Sequence, residues 1–262
     1  MERLMRIFIL SFTVLFVVTI AISIATAEPK KDPALSLSTT SPGFAVVELF
    51  TSEGCSSCPA AEKVLNRIVA DARKQNIAVY PLAFHVDYWN RLGWADRFST
   101  ARNSDRQRSY AQAMQSNDIY TPEMIVNGKE AFVGSDEPKA IAKINAALAE
   151  KPASTIKISA VRTDKKLKIH YEATGATNQN LNIAIVERKL ETAVKRGENE
   201  GRKLVHDNVV RVFSSINLKT DETGDSELVV PDDLEIANSS IVVYVQNPQT
   251  MKIVAGAGIE LP

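Results

Sequence analysis

The stretch that most constrains this chain is Val46-Val47-Glu48-Leu49-Phe50-Thr51-Ser52-Glu53-Gly54-Cys55-Ser56-Ser57-Cys58-Pro59. The apolar run from Ala45 to Phe50 predicts a strand buried on both faces. A polar loop, Thr51 to Gly54, then delivers two cysteines. From Ala60 onward Ala61, Val64, Leu65, Ile68 and Val69 recur at helical spacing. Pro59 suits a first helical turn, where its missing N–H has no partner to lose. A Cys-x-x-Cys carried from a strand into a helix N-terminus is a candidate redox site. Free N–H groups and the positive end of the helix dipole favour a thiolate on Cys55, which is expected to be the more exposed cysteine. Cys58, one turn further in, is placed to resolve a mixed disulfide formed on Cys55.

Cys55 and Cys58 are the only cysteines among 262 residues. A disulfide across so short a loop would stabilise the fold by only about 2 kcal/mol in the chain-entropy view, so a staple is a poor use of the pair. Two alternatives to a redox dithiol stay open: an inert local disulfide in a binding or scaffold protein, and part of a metal site. Structural zinc would want a second Cys-x-x-Cys, which is absent. Cys55 and Cys58 with His85 would instead suit a soft ion such as copper. A redox role needs no cofactor.

Met1 to Ala27 has the form of an export signal, with Arg3 and Arg6 in a basic start, an apolar stretch from Ile7 to Ile24 and a small-residue end, Ala25-Thr26-Ala27. Its 18-residue apolar run also reaches the lower limit for a membrane span, so an uncleaved anchor is the alternative to cleavage after Ala27. Either way the remainder is expected in an oxidising compartment, periplasmic or secreted. Taking Arg3, Arg6 and Glu2 from 31 basic and 31 acidic residues leaves a net charge near −1. With no long basic run, nucleic acid is excluded as a partner. The expected partner is a protein thiol or disulfide, and any membrane contact belongs to the N-terminal segment. Residues 28–43, rich in Ser, Thr, Pro and Lys, read as a flexible linker.

The length suits two domains, an α/β domain over 44–151 and a β-rich one over 153–262. In the first, Ile77 to Val86 predicts a second strand, carried back by the helix and so parallel to the first. Pro81 inside it points to a bulge or an early start. The strand end carries His85, Asp87, Tyr88, Trp89, Asn90 and Trp94, expected near Cys55 because ligands gather beyond the C-terminal ends of parallel strands. In a redox site His85 would support the Cys55 thiolate, with Trp89 and Trp94 walling the cleft. A helix over Asp96 to Met114, a hairpin through Asn127-Gly128 and a helix from Glu137 to Glu150 complete the domain. In the second, short strand candidates from Thr155 to Ala255 with turns between them predict a β-sandwich. Its chemically dense stretch runs from Lys195 to Arg211. There Arg196, Arg202 and Arg211 offer forked donors to a carboxylate or peptide ligand, beside Glu198, Asn199 and His206. The alternative there is a solvated hairpin loop with internal salt bridges.

Strand, Cys-x-x-Cys helix, strand, helix, then Thr121-Pro122 before a hairpin and a last helix resembles the thioredoxin fold, over about 108 of 262 residues. The resemblance implies that Pro122 is cis and lies against the cysteines, helping to hold an extended substrate. Thr121 to Lys129 is also similar to the corresponding part of periplasmic disulfide oxidoreductases. Glu48 matches the buried carboxylate that exchanges a proton with the inner cysteine, although one extra residue separates it from Cys55. Gly54 stands where that family usually has tryptophan. A more particular resemblance is to an uncharacterised bacterial and plant family, domain of unknown function 1223. It is carried by Glu48 to Cys58, His85-Val86-Asp87-Tyr88-Trp89, Thr121-Pro122 and the stretch from Lys195 to Arg211. That resemblance implies a thioredoxin-like fold and no particular activity.

Overall fold

The computed structural model describes residues 35–38, 42–220 and 222–262; the expected export signal over 1–27 lies outside them. Among the described residues no helix is long and apolar enough to cross a membrane. Strand β1 (Ala45–Thr51) is buried at every position. It lies between parallel β2 (Val79–His85) and antiparallel β3 (Glu123–Val126). A strand enclosed in this way must be apolar along its length, which accounts for the run from Ala45 to Phe50. Helix α1 (Cys58–Gln75) carries the chain from β1 to β2, and its stripe of Ala61, Leu65, Ile68 and Ala72 shares a core with Val47 and Leu49. It stops at Asn76, which adopts the left-handed conformation that ends many helices.

Helix α2 (Ala101–Ala113) contributes to the core on the other side of β1, where Tyr110 joins Phe50 and Phe84. It starts later than expected. Thr100 caps it by accepting the Asn103 N–H, and Asp96 is instead buried beside the cysteine loop. Strand β4 (Ala131–Val133) returns along β3 after Asn127-Gly128, both at positive φ. A Cβ on Gly128 would fall 1.9 Å from the Met251 carbonyl oxygen, so the turn needs glycine for close approach as well as for its φ. Helix α3 (Glu137–Ala149) joins the same core as α1. Where a tether was expected, Leu35 and Leu37 are buried in this core, and the N–H groups of Leu35 and Ser38 donate to Asp71 and Asn145.

The rest of the chain is β5 (Thr155–Thr163), β6 (Lys166–Thr174), β7 (Asn180–Glu187), β8 (Leu190–Ala193), β9 (Lys203–His206), β10 (Val209–Asn217), β11 (Glu222–Val229), β12 (Ser239–Gln246) and β13 (Ile253–Glu260). One eight-stranded sheet runs in the order β13-β12-β7-β10-β2-β1-β3-β4, so it crosses the boundary expected near residue 152. Ala34–Pro262 forms one compact unit. The junction is narrow: Val209 of β10 pairs with Ala83 of β2, and the Ala83 N–H donates to the Asn208 carbonyl at 2.8 Å. The Asn208 amide donates to the Pro81 carbonyl, also at 2.8 Å. Pro81 therefore sits mid-strand without a register shift, because the N–H it lacks would face a side chain and not a ladder partner.

A three-stranded sheet, β11-β6-β5, packs through Leu167, Ile169 and Tyr171 with Leu181, Ile183 and Ile185 of β7 and Ile241, Val243 and Val245 of β12. The alternate residues Ala184, Val186, Val242 and Tyr244 join the core around Phe50 and Phe84 instead. Period-two alternation along two strands thus serves two cores. The molecule is a mixed α/β chain with one large, mostly β sheet and few helices. β8 and β9 form a separate ribbon, and the loop joining them reaches the cysteines.

Candidate functional site: a covered cysteine pair

Between the end of β1 at Thr51 and the start of α1 at Cys58, the loop is folded on itself. The Cys55 N–H donates to the Ser52 carbonyl and the Cys58 N–H to the Cys55 carbonyl, both at 3.2 Å. The two thiols are free and close together, with no disulfide between them. Cys55 was expected to be the more exposed cysteine, but both are buried, Cys55 at 1% accessible and Cys58 at 0%. The cover comes from the β8–β9 loop. The buried Asn199 amide donates to the carbonyls of Glu53 and Cys55, both at 2.9 Å, and the Glu198 carboxylate accepts the Ser56 N–H at 2.9 Å.

The Cys55 sulfur lies 3.2 Å from the Ser57 hydroxyl and 3.8 Å from the Thr121 carbonyl. The Thr121–Pro122 peptide is cis and Pro122 is buried. Trp89 donates its indole N–H to the Thr121 hydroxyl at 2.7 Å, beside the cis peptide. The Cys58 thiol, and then the Ser57 and Thr121 groups, bring the Cys55 thiol down to about 6 against the opposing effect of burial. Burial first, and the neighbouring Cys55 second, push Cys58 far up. The pair is thus asymmetric, a thiolate-prone outer sulfur beside a protonated inner one.

Glu48 does not reach the cysteines. It stands three residues before Thr51, and alternation turns it to the opposite face of β1. There it accepts from Arg106 and from the hydroxyls of Tyr110 and Tyr244. The Arg106 guanidinium lies 5.0–5.7 Å from the ring centroids of Phe84, Tyr110, Phe213 and Tyr244. The carboxylate on the cysteine face is Glu62 of α1. The Thr51 hydroxyl donates to it at 2.7 Å and also stands beside the Cys58 thiol. The signal was its position four residues after Cys58, one helical turn along the same face.

His85 ends β2 but does not act on Cys55. Its Nδ1 is 2.6 Å from Asp96, and its ring stacks edge-on against Phe98 and His206. Asp87 accepts the Ser104 hydroxyl at 2.5 Å and so belongs to the α2 contact. Trp94 donates to Glu53 at 2.7 Å. His206 lies with Nδ1 2.5 Å from Glu62 and Nε2 3.3 Å from Glu53. Burial works against its charged form, but Glu62 and Glu53 outweigh it and hold the imidazole at about 10. Arg211 spends its fork on Glu187 and Asp233, so it does not offer itself to a ligand. Arg202 braces Asn199 at 3.0 Å, while Arg196 is exposed. Among the described residues, the group of side chains that converges closely enough for a metal is Glu62, His85 and His206. The set of Cys55, Cys58 and His85 does not assemble.

Fold and site together define an α/β chain with a covered, reduced cysteine pair at a strand–helix junction. The chain belongs to the family described as Protein of unknown function (DUF1223), whose model matches residues 46–246 and so takes in the dithiol, the end of β2 and the covering loop. It is similar to the crystal structure of protein AGR_C_4864 from Agrobacterium tumefaciens, at 26% identity and a TM-score of 0.64, over 83% of this chain and 94% of that one. A domain of the outer membrane lipoprotein Omp28 from Porphyromonas gingivalis is 18% identical, with a TM-score of 0.28, over 43% of this chain and 90% of that one. That likeness is too slight to carry an argument. No curated protein matches this chain.

Proposed function

We propose that the chain is an exported thiol–disulfide oxidoreductase, a thioredoxin-like unit bearing the dithiol joined to a β-sandwich that supplies its cover. The observation that carries this proposal is the seating of the Cys55 sulfur between the Ser57 hydroxyl and the Thr121 carbonyl, with Cys58 behind it at the start of α1. The Cys55 thiolate attacks one sulfur of a partner disulfide, a new S–S bond forms, and the partner's other sulfur leaves as a thiolate. Cys58 then attacks the Cys55 sulfur, the mixed disulfide breaks, and the second partner thiolate is released. The partner gains two electrons and the protein keeps a Cys55–Cys58 disulfide; the reverse sequence oxidises a partner dithiol. Cys58 must lose its proton to attack. The Thr51 hydroxyl beside it, bonded to Glu62, offers a path for that proton. The N-terminal signal pattern supports a periplasmic or secreted setting, where a protein partner would be met.

The test is trapping in the native compartment. Cys58→Ala should accumulate a mixed disulfide through Cys55, and Cys55→Ala should accumulate none. A Cys58→Ala chain that captures nothing, together with a wild type that leaves a model disulfide untouched, would sink the proposal.

A further inference from the structure

Behind the dithiol, three side chains from distant parts of the sequence meet in the interior: Glu62 from α1, His85 from β2 and His206 from β9. Each offers one ligand atom, and the three atoms lie within 4.8 Å of one another. Their side chains are 5%, 0% and 1% accessible. The dithiol exchange uses neither histidine.

We propose that Glu62, His85 and His206 form a binding site for a first-row divalent cation of the zinc class. Two imidazoles and one carboxylate are a donor set such ions favour. The His85 Nε2 is buried without a hydrogen-bond partner, and a buried imidazole nitrogen left in this way is uncommon; the His206 Nε2 has only the Glu53 carboxylate, at 3.3 Å. For His85 the reason is plain. Asp96 takes its Nδ1 at 2.6 Å, which fixes the tautomer whose Nε2 lone pair is free, as the carboxylate–histidine pairing at metal sites does. Three atoms no more than 4.8 Å apart leave a central point at most about 2.8 Å from each. Contraction by less than about 1 Å therefore reaches the bond lengths of about 2.0–2.2 Å that zinc adopts with nitrogen and oxygen.

The charges around the cluster agree. The Glu53 Oε1 stands 3.3 Å from the His206 Nε2, so Glu53, Glu62 and Asp96 face two imidazoles. Three carboxylates around the two rings offset the charge that a divalent cation would bring. The ion would tie α1, β2 and β9 together and hold the ribbon that covers the cysteines. No sulfur takes part; Glu62 is shared with the proton path proposed for Cys58, and a chain without the cysteines tests the cation site alone.

The experiment uses the full chain carrying Cys55→Ser and Cys58→Ser, stripped with a chelator and titrated with Zn²⁺ against a chromophoric competitor. Co²⁺ then serves as a spectroscopic probe. The expected result is one equivalent bound, ligand-field bands without a sulfur-to-cobalt charge-transfer band, and a zinc-dependent rise in melting temperature. His85→Gln in that background should abolish binding, and Asp96→Asn, which touches no ion, should weaken it by about 10- to 100-fold. Circular dichroism checks that each variant is folded. Failure of the double-serine chain to hold zinc, or zinc affinity unchanged in folded His85→Gln and Asp96→Asn, would overturn the proposal.

Discussion

Cys55 and Cys58 differ little in exposure and greatly in what each sulfur touches. Cys55 has the Cys58 thiol, the Ser57 hydroxyl and the Thr121 carbonyl around it, while Cys58 is enclosed by core. Held near 6 in the folded state against about 8.5 for a free thiol, Cys55 is an acid whose folded value is depressed. Its thiolate therefore adds stability that is complete above the free-thiol value and disappears as pH falls through about 6. Reduced wild type should gain stability relative to Cys55→Ser between about pH 6 and 8.5, measured by denaturant melts at a series of pH values. Over the same range peptide mapping should find alkylation at Cys55 and none at Cys58; a flat stability difference with equal alkylation would contradict the asymmetry. The cysteines were legible in the sequence because a Cys-x-x-Cys between strand and helix is a local signal. The carboxylate on the cysteine face was not, since choosing Glu62 over Glu48 requires knowing which face of β1 the helix covers.

At the scale of elements, the β8–β9 loop shuts the site. Glu198 takes the Ser56 N–H near the start of α1, and Asn199 ties down two carbonyls of the cysteine loop. Asn199→Ala leaves those carbonyls buried without donors, at a cost of about 1–3 kcal/mol, and should speed Cys55 alkylation. Glu198→Ala, at an exposed position, should speed alkylation while moving stability by no more than about 0.5 kcal/mol. Thermal melts and timed alkylation read both; an unchanged alkylation rate in either variant would mean that the loop is not the barrier. Elements with a strong internal period or turn signal, such as β1, α1 and the Asn127-Gly128 hairpin, were readable from the sequence. β8 and β9 are four residues each, too short for period two to stand out, and their role lies in what they touch.

Across the whole molecule, the sheet joins the two halves of the chain through one strand pair, Ala83 with Val209. No sequence pattern marks a junction that narrow, because it depends on which strand edge is left open after all others have paired. The core around Phe50 and Phe84 draws Ala184, Val186, Val242 and Tyr244 from beyond residue 152. A chain ending at Lys151 should therefore expose that core and the β2 edge, and should aggregate. Size-exclusion chromatography checks this, and a cooperative, soluble monomer of residues 35–151 would establish the first half as an independent domain. Asn199 and Glu198 stand 144 and 142 residues downstream of the groups they cover. A chain made N-terminus first presents its two cysteines long before their cover exists. In that interval the thiols are open to whatever oxidant or protein surrounds the young chain, and the first chemistry at Cys55 is decided by timing as much as by geometry.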